Sequence, residues 1–179
     1  MSSILEARER RWRTKHALAR RFRACVLSLC LNIPGPDKNP PGAERAFVFL
    51  QAALRAAHAR ALRRWHGKRA ARSKAHLYEV RGKGADGPFW LLLSPLPDFT
   101  LKRMAVSLER THPLGRLADI DVLTQAGVPV SRADLGLPPR ACFLCGEPAA
   151  LCRLSKRHSW ERLMVFVTET LSTARAVYP

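Results

Sequence analysis

Acidic side chains are scarce in this chain: 14 aspartates and glutamates stand against 31 lysines and arginines, a formal charge of +17 at pH 7. Such a surface gathers polyanions, whether phosphate-bearing small molecules, nucleic acid or an acidic protein. Long hydrophobic runs are missing as well. None approaches the roughly 18 apolar residues of a transmembrane helix, so no membrane span is expected. Cysteines number only 5, an odd count. No convincing export signal accompanies them. The basic stretch before Ala24 and the following CVLSLCL imitate one, but the stretch carries Glu6 and Glu9 and the apolar run ends at Asn32-Ile33-Pro34-Gly35-Pro36. No small-x-small cleavage pattern follows. A disulfide framework is therefore not expected; reduced thiols or metal binding in a cytoplasmic protein are.

What is present is enough for a core. Hydrophobic residues make up 47% of 179 positions, which argues against global disorder, and 13 prolines with 10 glycines cut the chain into short elements. No internal repeat occurs, and one domain over 1–179 is expected. Ser3 to about Arg23 reads as a basic amphipathic helix with Leu5, Trp12, Leu18 and Phe22 on its apolar side and a solvated polar face. Cys25 to Leu31 reads as a buried strand running into a Pro34-Gly35-Pro36 loop that carries Lys38. Phe47, Leu50, Leu54, Ala57 and Ala61 recur at helical steps between Ala43 and Arg64. The dense basic segment Arg63 to His76 follows. His76–Val80 and Phe89–Ser94 predict a hairpin around a Gly82 to Gly87 turn. Asp98 is the expected cap of a helix with Leu101, Met104, Ala105 and Leu108 on one face. A strand over Asp119–Leu123, a return strand over Val128–Ser131 and a helix through Leu163, Phe166, Val167, Thr170, Leu171 and Ala174 complete an α+β fold, a small mixed or antiparallel sheet packed with helices.

Two constellations carry candidate chemistry. In the first, Asp119 and Asp121 are two residues apart and share one face of a strand. Hard oxygen ligands so placed suit Mg2+, which prefers carboxylates together with substrate phosphates. The preceding His112-Pro113-Leu114-Gly115-Arg116 predicts a turn in which Gly115 admits a phosphate to the backbone and Arg116 offers bidentate contacts. His112 suits a general base, a phosphate donor or, more simply, a structural hydrogen bond. Glu109 and Asp134 are the carboxylates nearest at hand for a third ligand. In the second, Cys142-x2-Cys145-x6-Cys152-x5-His158 has spacings a tetrahedral Zn2+ accepts as a structural knuckle over 142–158; three reduced cysteines packed as small hydrophobes fit the same residues. Cys25 and Cys30, on the apolar strand, are assigned no chemistry.

HPLGRLADIDVL at 112–123, SRADLGLPPRACFLC at 131–145 and ALCRLSKRHS at 150–159 resemble the apo-citrate lyase phosphoribosyl-dephospho-CoA transferase family, as does RERRWRTKHALARRFRACVLSLCLNIPGPDKN at 8–39. The resemblance implies a nucleotidyltransferase-like enzyme. Its substrate would be triphosphoribosyl-dephospho-CoA, whose phosphoribosyl-dephospho-CoA unit passes to a serine of the citrate lyase acyl carrier subunit with release of diphosphate. A separate enzyme is expected to make the precursor. It further implies that Asp119 and Asp121 hold Mg2+, that Gly115 and Arg116 steer the triphosphate, and that Lys38, Arg132 and Arg140 bind phosphates. The middle, from about Leu62 to Leu96, departs most from the family's pattern. The charge, the Arg63 to Lys74 cluster, Trp12 and Trp65 also suit a zinc-knuckle nucleic-acid-binding protein. Against that alternative stand the two aspartates, which repel a phosphate backbone.

Overall fold

The computed structural model describes residues 3–66 and 78–177. A four-stranded antiparallel sheet in the order β2-β3-β1-β4 lies at its centre, built from β1 (Cys25–Leu31), β2 (Glu79–Gly84), β3 (Gly87–Ser94) and β4 (Ala118–Leu123). β1, buried at all seven positions, is an inner strand, pairing Leu29 with Trp90 on one side and with Ile120 on the other.

Helices cover both faces. On one face α2 (Ala43–His66), α3 (Asp98–Thr111) and α5 (Trp160–Val177) bury Phe47, Leu50, Leu54, Leu101, Ala105, Val167 and Leu171 against Leu27, Leu29, Trp90, Leu92, Ile120 and Val122. Each such aliphatic side chain contributes about 1.5–3 kcal/mol when fully buried. On the other face α1 (Ile4–Phe22) sets Leu18 and Ala19 on Val26, Leu91, Leu93 and Leu123. A capping box starts α1: Ser3 Oγ accepts from the Glu6 N–H, and Glu6 Oε2 accepts from the Ser3 N–H.

Several local expectations change. Leu5, Trp12 and Phe22 are exposed, and the face of α1 that packs on the sheet is Ala7, Leu18 and Ala19 with the side chains of Arg11 and Lys15 largely covered among them. The hairpin strand begins at Glu79, and its turn is only Ala85-Asp86, closed by Gly87 at φ +96°, a value L side chains rarely adopt. Pro97, not Asp98, precedes α3; Asp98 accepts the Phe99 N–H within the first turn. Val128–Ser131 forms no strand. Proline at 129 cannot donate to a ladder, and the segment makes one bridge to Leu123 plus a Val130 N–H bond to Val122 O of 2.9 Å. A short helix, α4 (Ala149–Leu154), was not expected around Cys152. Arg63–His66 end α2, while 67–76, the rest of the basic segment, and residue 77 lie outside the described residues. No helix among the described residues is long and apolar enough to cross a membrane.

Candidate active site

Register places the carboxylates. Cys30 pairs with Asp119 and Ser28 with Asp121, so these four side chains rise from the same face of the sheet, the one covered by α1. Ile120, between the two aspartates, and Val122, after them, point the opposite way into the core. Both aspartates keep about half of their side-chain surface open, 49% and 50%. Burial, followed by the charge of Asp121, pushes the Asp119 carboxyl above the usual carboxylate range. Beside it the Cys30 thiol, pushed up to about 12 by burial and by Asp119, keeps its proton and lies 3.5 Å from Asp119 Oδ2.

The basic face of α1 is not simply solvated, as the sequence suggested, but turns onto this site. Lys15 Nζ donates to Asp121 Oδ2 at 2.7 Å, and Arg11 pairs with Asp86 in the β2–β3 turn. Arg11 and Lys15 are spaced i, i+4 and are almost covered, at 14% and 11% side-chain exposure. That spacing on one helical face was the sequence signal for them, and nothing in the chain's composition distinguished it from an ordinary charged surface.

On the other side of Asp119 stands a cluster of guanidinium groups. Glu109, at the end of α3, is buried; it accepts the Ile120 N–H on the free edge of β4 at 3.3 Å and pairs with Arg132. Arg140 Nη1 lies 3.9 Å from both Glu109 Oε1 and Asp119 Oδ1, while its Nη2 donates to Arg116 O. Arg116 in turn donates to Cys142 O at 2.6 Å and Ala141 O at 3.2 Å, and its guanidinium lies over the Phe143 ring. Burial, then the neighbouring Arg140, pulls Arg116 below its ordinary value; Arg132 adds to the effect, and Glu109 offsets only part of it. The cluster thus carries surplus positive charge directly beside the aspartate pair.

The remaining expectations resolve one by one. Gly115 offers no surface to a phosphate: it is buried, and a Cβ there would come within 2.5 Å of Leu108 O and 2.6 Å of Glu109 O. Its smallness lets the chain turn tightly over the end of α3 and deliver Arg116. His112 caps α3, and its Nδ1 accepts the Leu114 N–H at 3.1 Å; burial lowers it, so the ring is neutral near pH 7. It lines a groove of about 790 Å³ between α2 and α3 with Arg60, Arg64, Trp65 and Arg103. Lys38 donates to Ile33 O within its own loop, near Arg8 of α1. Asp134 is taken up locally by the N–H and hydroxyl of Ser131, and Glu109 by its arginines, so neither completes a carboxylate triad.

The carboxylate pair fits a divalent cation. Two half-open, hard oxygen donors share one strand face, and the charged form of Asp119, disfavoured first by burial and then by the charge of Asp121, is one a bound dication would favour. Asp119 and Asp121 are the residues that could hold such an ion, with Arg140 the guanidinium nearest to them.

Residues 1–174 match the family model described as apo-citrate lyase phosphoribosyl-dephospho-CoA transferase. A protein of Escherichia coli bearing that name is 37% identical over 161 residues, spanning 90% of this chain and 82% of its own. One from Shigella boydii with the same name is 36% identical over the same span. A Streptococcus pyogenes protein, described as a probable member, is 33% identical over 175 residues, 96% of this chain and 84% of its own.

Proposed function

Because the chain belongs to the apo-citrate lyase phosphoribosyl-dephospho-CoA transferase family, we propose that it attaches the phosphoribosyl-dephospho-CoA group to a serine of the citrate lyase acyl carrier subunit, with the triphosphate of that group as precursor. The serine oxygen bonds to the phosphorus nearest the ribose and gives up its proton to solvent, the bond from that phosphorus to the next phosphate's bridging oxygen breaks, and its electron pair leaves with diphosphate. A single observation supports the placing of this chemistry: the half-open Asp119 and Asp121 pair, bordered by Arg116, Arg132 and Arg140.

Asp119 and Asp121 would hold Mg2+, which when bound offsets the charge gathered on the phosphates under attack. Arg140, reaching toward Asp119, and Arg116, locked over Phe143, orient the triphosphate and stabilise negative charge as it shifts to the leaving diphosphate. Lys15 neutralises Asp121 while the site is empty of substrate and turns to a phosphate oxygen when the precursor enters. Lys38 and Arg8 extend the positive rim. Residues 1–179 act as one transferase domain, with 142–158 as a knuckle inside it. A separate enzyme makes the precursor, and the reaction takes place in the cytoplasm, where the free thiols stay reduced. The family match and the two aspartates both weigh against nucleic-acid binding.

The deciding assay incubates the protein, Mg2+, the triphosphate precursor and apo carrier subunit, and weighs the carrier intact. A mass gain equal to the prosthetic group is expected with the wild type and none with Asp119→Asn, Asp121→Asn. No gain with the wild type sinks the reading.

A further inference from the structure

Outside the carboxylate site, the described residues hold one cluster of soft ligands. Cys142 Sγ, Cys145 Sγ, Cys152 Sγ and a ring nitrogen of His158 all lie within 4.8 Å of one another. The sulfurs of Cys145 and Cys152 are 3.5 Å apart, too far for a disulfide, and Cys145 Sγ is 3.3 Å from His158 Nε2. A tetrahedral Zn2+ with Zn–S near 2.3 Å separates its sulfurs by about 3.8 Å, so the four groups already outline such a polyhedron.

The backbone is arranged to keep them there. Ala141 and Pro148 bridge two short antiparallel segments, closed by Cys142 N–H to Glu147 O at 2.7 Å and Ala149 N–H to Arg140 O at 2.8 Å. At the tip, the N–H groups of Leu144 and Cys145 point at the Cys142 sulfur. α4 brings up Cys152, and Lys156 at φ +48° folds the chain back so that the Arg157 N–H meets Cys152 O and His158 faces the sulfurs. Packing of three small hydrophobes, the plainer reading of these cysteines, does not require an imidazole aimed at a thiol or a non-glycine residue in a left-handed conformation.

The geometry points to a structural Zn2+ bound by Cys142, Cys145, Cys152 and His158, whose purpose is to fix the arginines of the transfer site. Ala141 O and Cys142 O, the two acceptors of Arg116, belong to this hairpin, and Arg140 enters it through its own carbonyl. Phe143, the ring under Arg116, also stacks on Phe166 of α5, with centroids 4.9 Å apart. Metal, hairpin and guanidinium groups therefore form one rigid chain of contacts ending at Asp119. These four ligands do not reach the substrate; they are positioning residues.

The binding half of this inference is independent of the proposed reaction, and only the positioning half rests on it. Elemental analysis of the full chain purified without chelator is expected to find one zinc per molecule. Cys145→Ser is expected to lose it and Cys25→Ser, remote from the cluster, to keep it. Because a variant that fails to fold would also lose metal, the wild type is refolded with Co2+, which should give the intense visible bands of tetrahedral thiolate coordination. Absence of zinc from the wild type together with no such bands overturns the site, as does full zinc retention in Cys145→Ser. In the carrier assay, folded Cys145→Ser should show KM for the precursor raised about tenfold or more, with KM for the carrier changed far less. An unchanged precursor KM in a zinc-free, folded variant overturns the positioning role even if transfer itself proceeds.

Discussion

Single residues show both how far a pattern carries and where it stops. Alternation along a strand was sufficient to put Asp119 and Asp121 on one face, because a period of two leaves no other choice. The role of Gly115 was not legible, since a glycine beside an arginine reads the same whether it admits a ligand or, as here, the carbonyls of Leu108 and Glu109. Glu109 was picked out as a candidate carboxylate, yet its occupation by Arg132, Arg140 and the Ile120 N–H depends on contacts no local spacing encodes. His58 makes the point with a measurable consequence. Buried in α2 and sharing a 2.8 Å hydrogen bond with Ser94 Oγ, its imidazole is lowered to about 4, chiefly by desolvation. The unfolded chain takes up a proton near pH 6.5 and the folded chain does not, so stability falls as pH drops from about 6.5 to 4 and levels off below. His58→Gln should lose about 1–3 kcal/mol at pH 7 through the disturbed buried hydrogen bond. Its denaturation midpoint should nevertheless be flatter between pH 7 and 4 than that of the wild type; an equally steep decline would assign the acid sensitivity to other groups.

At the scale of elements, apolar pattern found α1, α2, α3, α5, β1, β3 and β4, because each has an apolar face or run long enough to declare itself. It misplaced β2: the expected strand His76–Val80 meets Glu79–Gly84 only at Glu79 and Val80, because EVRGKG holds a single apolar side chain. It failed for α4, which is too short, at Ala149–Leu154, to show a pattern. It also chose the wrong face of α1. Leu5, Trp12 and Phe22 look like an anchor, but the helix is held by small residues and by two cations aimed at acids on other elements. Composition cannot distinguish a cation in water from one over a carboxylate. The Arg11 contact is the stronger test, since Asp86 is almost fully covered at 2% side-chain exposure. Arg11→Ala leaves that carboxylate buried without its partner and is expected to cost about 3–5 kcal/mol in urea denaturation. Arg11→Met with Asp86→Asn removes both charges and should recover most of the loss. If the double variant is as unstable as the single one, the pair does not anchor α1 as described.

For the whole molecule, charge and fold class were readable, whereas strand order was not. Net charge of +17 is a sum over the sequence and survives any arrangement. Its expected effect is on encounter with an acidic carrier: the second-order rate of carrier modification should fall roughly tenfold between about 0.05 and 0.3 M salt, as screening shortens the reach of the field. A rate indifferent to salt would mean that the basic surface plays no part in capture. The order β2-β3-β1-β4, by contrast, arises from pairings between distant parts of the chain that no window along the sequence contains. The inner position of β1 has a consequence in time. Residue 28 pairs with residue 121, so the most apolar strand is made well before its second neighbour. At about 5–20 residues per second, β1 waits several seconds with both edges open until β3 is made, and longer with one edge open until β4 follows.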